Sequence, residues 1–234
     1  TFAIFLSLAF ILNIFEEVNF FKDLKVSISI PIFLTFLNIP SIISDIFPED
    51  LSNSGFNYYV TEKGHEILDA DTLSAFNYGT FSARYGNLYT ARQLYQLFKR
   101  AFGLFSPREI SWRAKDDSFR DPFRPNIQPG GFESEESLIL DQITHLEAVR
   151  KMFETTDVFV FTMGLTECWR SKTDGAVFPI CPGVEGGEYS SEEYEFYNQT
   201  VEEVVGDMDQ FISLLTGVNP HVKVILTVSP VPLM

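Results

Sequence analysis

Apolar residues in this chain fall into two rhythms. One is the unbroken run Val158-Phe159-Val160-Phe161, short and rich in β-branched and aromatic residues, which stops in Gly164-Leu165-Thr166-Glu167. It predicts a buried strand over 158–163 that ends in a tight turn. Val222 to Val228 repeats the pattern before Ser229-Pro230-Val231-Pro232. The second rhythm has a helical period. Thr200-Val201-Glu202-Glu203 reads as a capping box, and the helix it opens places Val204, Val205, Met208, Phe211, Ile212 and Leu215 inward before Gly217. Thr90-Ala91-Arg92-Gln93 opens another, with Leu94, Leu97, Phe98 and Ala101 inward and Gly103 as its stop. A third begins near Ser134, where Glu135 and Glu136 suit the first turn, and is expected to bury Leu140, Ile143, Leu146, Val149 and Phe153.

Strand, loop, helix, strand is the order of a parallel crossover, so strands 158–163 and 222–228 are expected side by side or one strand apart. The predicted architecture is α/β, a three-layer α/β/α sandwich around a mainly parallel sheet. Residues 105–134 and 170–199 read as long irregular segments. Ligands of open α/β sheets collect at the carboxyl ends of the strands, which directs attention to the turn at 164–167.

The first fifty residues differ from this body. They hold 10 Ile and 9 Phe in no clear period. Thr1 to Phe15 carries no charge, but it is shorter than the ~20 residues a membrane helix needs. No basic residue precedes it, and Glu16 and Glu17 follow. A membrane anchor is therefore not expected, and the cytoplasm is the expected compartment. Residues 1–50 are read as an atypical, loosely packed segment, and 51–234 as the domain proper. A chain that ends at Met234, directly after a strand and its exit loop, is expected to be a fragment.

Charge narrows the partners. The net charge is −15, and residues 131–210 hold 18 acidic against 4 basic side chains. Nucleic acid is an unsuitable partner for such a surface. Residues 84–124 reverse the balance, with 9 basic and 4 acidic; this stretch is either a solvated face or a site for an anion. Two cysteines, Cys168 and Cys181, are too few for a disulfide framework and are read as thiols. His65, His145 and His221 are isolated from them and from one another, so neither a zinc site nor any other cofactor is expected.

Four blocks carry a resemblance: Phe76-Asn77-Tyr78-Gly79-Thr80-Phe81-Ser82-Ala83-Arg84-Tyr85-Gly86-Asn87, Asp121-Pro122-Phe123-Arg124-Pro125, Gly164-Leu165-Thr166-Glu167, and Thr227-Val228-Ser229-Pro230-Val231-Pro232-Leu233. In this order, from about Leu51 to Met234, they resemble the GSCFA family, which is placed with the SGNH-type hydrolases. The resemblance implies a flavodoxin-like sandwich and a serine nucleophile after the first strand. It also implies oxyanion donors from a Gly and an Asn-bearing turn, and an Asp-x-x-His pair near the C-terminus. Gly164 and Thr166 match the third block, with Thr where the wider superfamily has Asn; a hydroxyl can still donate one hydrogen bond. Gly79, ahead of Gly86, matches the second.

The Gly-Ser-Cys-Phe-Ala motif itself is absent. Its place falls on Pro40-Ser41-Ile42-Ile43-Ser44, which leaves Ser41 as the only nucleophile candidate. A shifted reading frame upstream of Leu51 would account for both the odd composition and the lost motif, and the Asp-x-x-His pair would lie beyond Met234. Arg84 and Arg124 are either clamps for a polar or anionic substrate, with Asn87 beside them, or holders of loops through carboxylates such as Asp121. Glu167 either orients a base or loop, or bonds the turn backbone. Tyr58, Tyr59, Tyr78, Tyr85 and Tyr89 either flank a sugar cleft or pack the core. None of the three histidines is placed to act as a base. The implied activity is Ser-dependent hydrolysis or transfer of an acyl ester on a glycan or small molecule, inactive in this form. The alternative is a binding module that keeps the cleft.

Overall fold

The computed structural model describes residues 27–29 (backbone), 57–64 and 67–228. Ser27–Ser29 (β1), Asn57–Tyr58 (β2), Val158–Met163 (β5) and Lys223–Val228 (β9) form a parallel sheet in the order β2-β1-β5-β9. Two antiparallel sheets accompany it. One joins Trp112–Arg113 (β3) to Phe119–Arg120 (β4), and the other orders Val177–Phe178 (β7), Glu167–Ser171 (β6) and Tyr194–Asn198 (β8) as β7-β6-β8. Four helices complete the described chain: Ala70–Ala75 (α1), Ala91–Ala101 (α2), Glu135–Thr155 (α3) and Val201–Val218 (α4).

The expected parallel pair is present. β5 and β9 are direct neighbours in register from Val158↔Lys223 to Met163↔Val228. β5 is buried on both faces, as a continuous apolar run requires. Phe159 and Phe161, on one face, enter the main core with Phe98 and Leu94 of α2, Phe153 of α3 and Phe211 of α4. Phe153, Phe159 and Phe211 meet with centroids 5.5–5.7 Å apart, tilted or edge-on, as aromatic quadrupoles prefer.

The helix starts follow their sequence signals. Thr90 and Thr200 close reciprocal capping boxes with Gln93 and Glu203, and Gly103, at φ +68°, follows the end of α2. At α3 the Ser134 hydroxyl is answered by Ser137.

Two expectations fail. Leu140 and Ile143, expected inside, are 66% and 52% exposed, whereas α3 buries Leu138, Gln142, His145, Val149, Met152 and Phe153. Polar residues can occupy that face because each has a partner. Gln142 Nε2 donates to Ile110 O at 2.8 Å, and His145 bonds Glu62. On α4, Val205 is also exposed. The second failure is 170–199, which holds most of the β7-β6-β8 sheet. Its strands are two to five residues long and carry outward glutamates, so their alternation is too brief to stand out.

The small sheet has its own core of Trp112, Phe123, Ala176, Phe178 and Tyr194, with Trp169 against it. Gln96 of α2 ties it to the main core. Its amide donates to Gly175 O at 2.7 Å and accepts from Val177 N at 2.9 Å. No helix among the described residues is long and apolar enough to cross a membrane.

Candidate active site

The strand order fixes where a ligand can enter. From β1 the chain steps outward to β2, then returns past β1 to β5 and β9. The order reverses between β1 and β5, and the crevice beyond their carboxyl ends is the switch point at which open α/β sheets bind ligands. Gly164-Leu165-Thr166 leaves β5 at this place.

Hydrogen bonds hold that turn. The amides of Gly164 and Leu165 both donate to Tyr89 O, at 3.3 and 2.9 Å, which staples the turn to the loop that carries Asn87 into α2. The Thr166 hydroxyl donates to Asn198 Oδ1 at 2.6 Å, and Thr166 O accepts from Gln199 N at 2.8 Å. Glu167 opens β6 directly opposite Asn198. With its carbonyl oxygen taken, exposed Asn198 keeps its amide nitrogen as a donor beside the turn. Below, Thr162 and Thr227 share a 2.7 Å hydrogen bond between β5 and β9. The structure therefore brings Gly164, Thr166 and Glu167 together, with the loop that carries Asn87 tied to them through Tyr89 O. Asn198, which is not among the candidates read from the sequence, joins them.

Other candidates lie elsewhere. Gly79 sits in the turn after α1 at φ +75°, where a Cβ would meet no atom within 4 Å. That turn is pinned by Asn77 Nδ2, which donates to Ile127 O at 2.9 Å. Ser41, His65 and the block 229–233 lie outside the described residues, as do the readings placed on residues 1–50 apart from β1.

Arg84 and Arg124 are both buried in an ionic cluster. Arg124 donates through Nε to Asp121 at 2.8 Å, through Nη2 to Asp141 at 2.7 Å and through Nη1 to Arg84 O at 3.1 Å. Arg84 bonds Asp141 Oδ1 at 2.8 Å, Phe76 O at 2.8 Å and Tyr78 OH at 3.2 Å, and lies 3.6 Å from Glu62. Of the two readings offered for these arginines, loop holding through carboxylates describes these contacts. Tyr85 is buried in the main core, and the Tyr78 ring lies 4.2 Å from the Arg84 guanidinium.

Burial opposes ionisation of Asp121, but Arg124, Arg100 and the Phe123 amide outweigh it and keep the carboxyl below its usual range. Burial likewise opposes the charge on Arg124, and Asp121, Asp141 and Glu62 more than offset it. Arg100, stacked 3.7 Å over Phe123, is brought down to about 10 by burial.

Beside this cluster lies a pair that sequence reasoning missed. His145 Nδ1 is 2.9 Å from Glu62 Oε2, 83 residues apart, and the imidazole is fully buried. Burial and Arg124 lower the His145 pKa to about 4, so the ring is neutral near pH 7. Its Nδ1–H donates to Glu62, whose own carboxyl is held low by His145 and the Arg84 amide against the effect of burial. The pair has the form of a base with its orienting carboxylate. Nε2, however, has no partner among the described residues, and the ring borders a cavity of about 20 Å³ between Arg100, Phe123 and Arg124. That is room for about one water and none for an acyl ester, so the pair is structural in this conformation. Only a helical face with His at its centre hinted at it.

Both thiols are free, and burial raises Cys168 to about 11, which rules it out as an activated nucleophile. Among the described residues no cluster of His, Cys, Asp and Glu is placed to hold a metal ion.

A parallel sheet with helices packed on it and two small antiparallel sheets beside it makes this a mixed α/β protein. The chain belongs to the GSCFA family, whose model matches residues 49–234. Neither the curated proteins nor the solved structures searched gave a match.

Proposed function

We propose that the protein is built as an SGNH-like, Ser-dependent acyl-ester hydrolase or O-acyltransferase acting on a glycan or small ester, within a flavodoxin-like three-layer sandwich. The observation that carries this reading is the position of Gly164-Leu165-Thr166 at the switch point, with Thr166 and Asn198 joined beside it. The Asn198 amide nitrogen, oriented by the Thr166 hydroxyl at a strand's carboxyl end, suits a developing oxyanion, because a preorganised donor needs no rearrangement as charge forms. Burial of β5 on both faces supports the sandwich. The two free thiols support a reducing compartment such as the cytoplasm. In this reading Ser41 marks the nucleophile position, and a small ester or glycan ester is the partner.

The test is ester turnover on p-nitrophenyl acetate and on acetylated xylan. It compares the chain as it stands with a variant that combines Pro40→Gly, Ile42→Cys, Ile43→Phe and Ser44→Ala with an Asp-x-x-His segment supplied after Met234. The expected result is turnover only in the variant, lost again on Ser41→Ala and reduced by Thr166→Val. Absence of turnover with retained glycan binding would establish the alternative, a non-catalytic binding module. That alternative is favoured by one observation: the Gly164 and Leu165 amides are both committed to Tyr89 O.

A further inference from the structure

The β6–β8 pair continues away from the Thr166–Asn198 contact, and its residues alternate between two faces. Glu167 and Asn198, then Trp169 and Phe196, stand on one face as successive cross-strand pairs; Cys168, Arg170, Tyr197 and Glu195 take the other. Phe196 is 56% exposed, and Tyr189, 50% exposed, meets the Trp169 ring edge-on at 5.6 Å. Phe196 meets the same ring at 5.8 Å. The three rings are held rather than loose. Trp169 rests on the small sheet's core, and Tyr189 stacks with Tyr194, whose hydroxyl bonds Glu109. An aromatic surface of this kind, half open to water yet rigidly supported, is a recognition surface more often than a chance exposure.

We propose that Trp169, Tyr189 and Phe196 form a platform for an uncharged glycan chain whose acylated unit lies at the Thr166–Asn198 end. The inference rests on the ester reading of that turn.

Charge selects the ligand. Between residues 167 and 198 there are seven acidic side chains and two basic ones. Arg170 is paired with Glu195 on the opposite face, and Lys172 donates to Ser191 O. Five negative charges in excess over this segment disfavour a uronate or phosphate. The platform and the polar pair are about 7 Å apart along the strands. Sugar rings offer an apolar C–H face to an aromatic ring and hydroxyls to Asn198, Glu167 and Thr166. An apolar peptide would leave those polar groups unmatched.

Calorimetric titration of the full chain with unacylated xylohexaose and mannohexaose, with hexagalacturonate as the anionic comparison, tests the platform without any ester chemistry. Binding of an uncharged hexamer is expected, weakened about tenfold by Phe196→Ala and by Tyr189→Ala, with galacturonate weaker than both. Both variants alter exposed side chains, and unchanged circular dichroism establishes that they fold. Absence of binding, equal binding by the variants, or preference for galacturonate would overturn the proposal. So would a dimer, seen by sedimentation, that Phe196→Ala dissolves, since a second copy would then be the occupant. Turnover of p-nitrophenyl acetate, which has no sugar, by the variant with the restored Gly-Ser-Cys-Phe-Ala motif and Asp-x-x-His segment separates the two readings. Its failure with glycan binding intact removes the ester assignment, and the reverse result removes the platform alone.

Discussion

Arg84 and Arg124 divide one carboxylate between them: Nη1 of Arg84 reaches Asp141 Oδ1 at 2.8 Å, and Nη2 of Arg124 reaches Oδ2 at 2.7 Å. Both guanidinium groups are buried, so neither can turn to water if Asp141 is lost. The three residues join α3 to two of the sequence blocks that mark the family.

Asp141→Ala is therefore expected to destabilise the fold by about 3 kcal/mol, the cost of leaving buried cations short of an anion. Arg113→Ala, which breaks an exposed pair with Asp117, is expected to cost roughly 0.5 kcal/mol or less. Urea unfolding midpoints of the two variants check the contrast.

Acid should weaken the protein through Glu62 and His145. Both have folded pKa values below their ordinary ones, so at moderately acid pH the unfolded chain binds protons that the folded chain refuses. Stability is then complete above the ordinary His value near 6.5 and falls as pH drops, first toward about 4 as His145 is forced to protonate. Glu62 adds its loss below about 4.5. Thermal midpoints measured from pH 7 to pH 4 should decline, and His145→Gln should flatten that decline. A midpoint constant down to pH 4 would contradict the pair's geometry.

Two changes on α3 separate the helix's real core face from its apparent one. Phe153→Ala, at 0% exposure among Phe98, Phe159 and Phe211, should cost about 3–5 kcal/mol. Ile143→Ala should stay within about 0.5 kcal/mol, because its side chain is already in water. Chemical denaturation of both decides it.

The Thr90 cap is buried and the Thr200 cap is exposed, although the two boxes are alike in sequence. Thr200→Ala should cost about 1 kcal/mol, and Thr90→Ala about 2, since the Gln93 amide would be left unpaired inside the protein. Unfolding midpoints again serve, and equal losses would refute the difference.

What could be read from the chain was whatever local chemistry decides. The caps at Thr90, Ser134 and Thr200 and the apolar run of β5 depend on neighbours within a few residues, and each stands where the pattern put it. The inward face of α3 was misread because partners outside the helix decide it. Gln142 and His145 are buried only since Ile110 O and Glu62 wait for them. Asn198 was hidden for the same reason: its bond to Thr166 spans 32 residues, and nothing adjacent announces it. The strands of the small sheet were missed on length alone.

Trp112 and Trp169 are the chain's two tryptophans, and both belong to the small antiparallel core. The main core under β5 contains none. Indole emission during unfolding will therefore report the loss of one core, while far-ultraviolet dichroism, dominated by α2, α3 and α4, reports the other. Transitions that coincide in the two signals would mean that Gln96, bridging from α2 to Gly175 and Val177, is enough to make the halves melt as one.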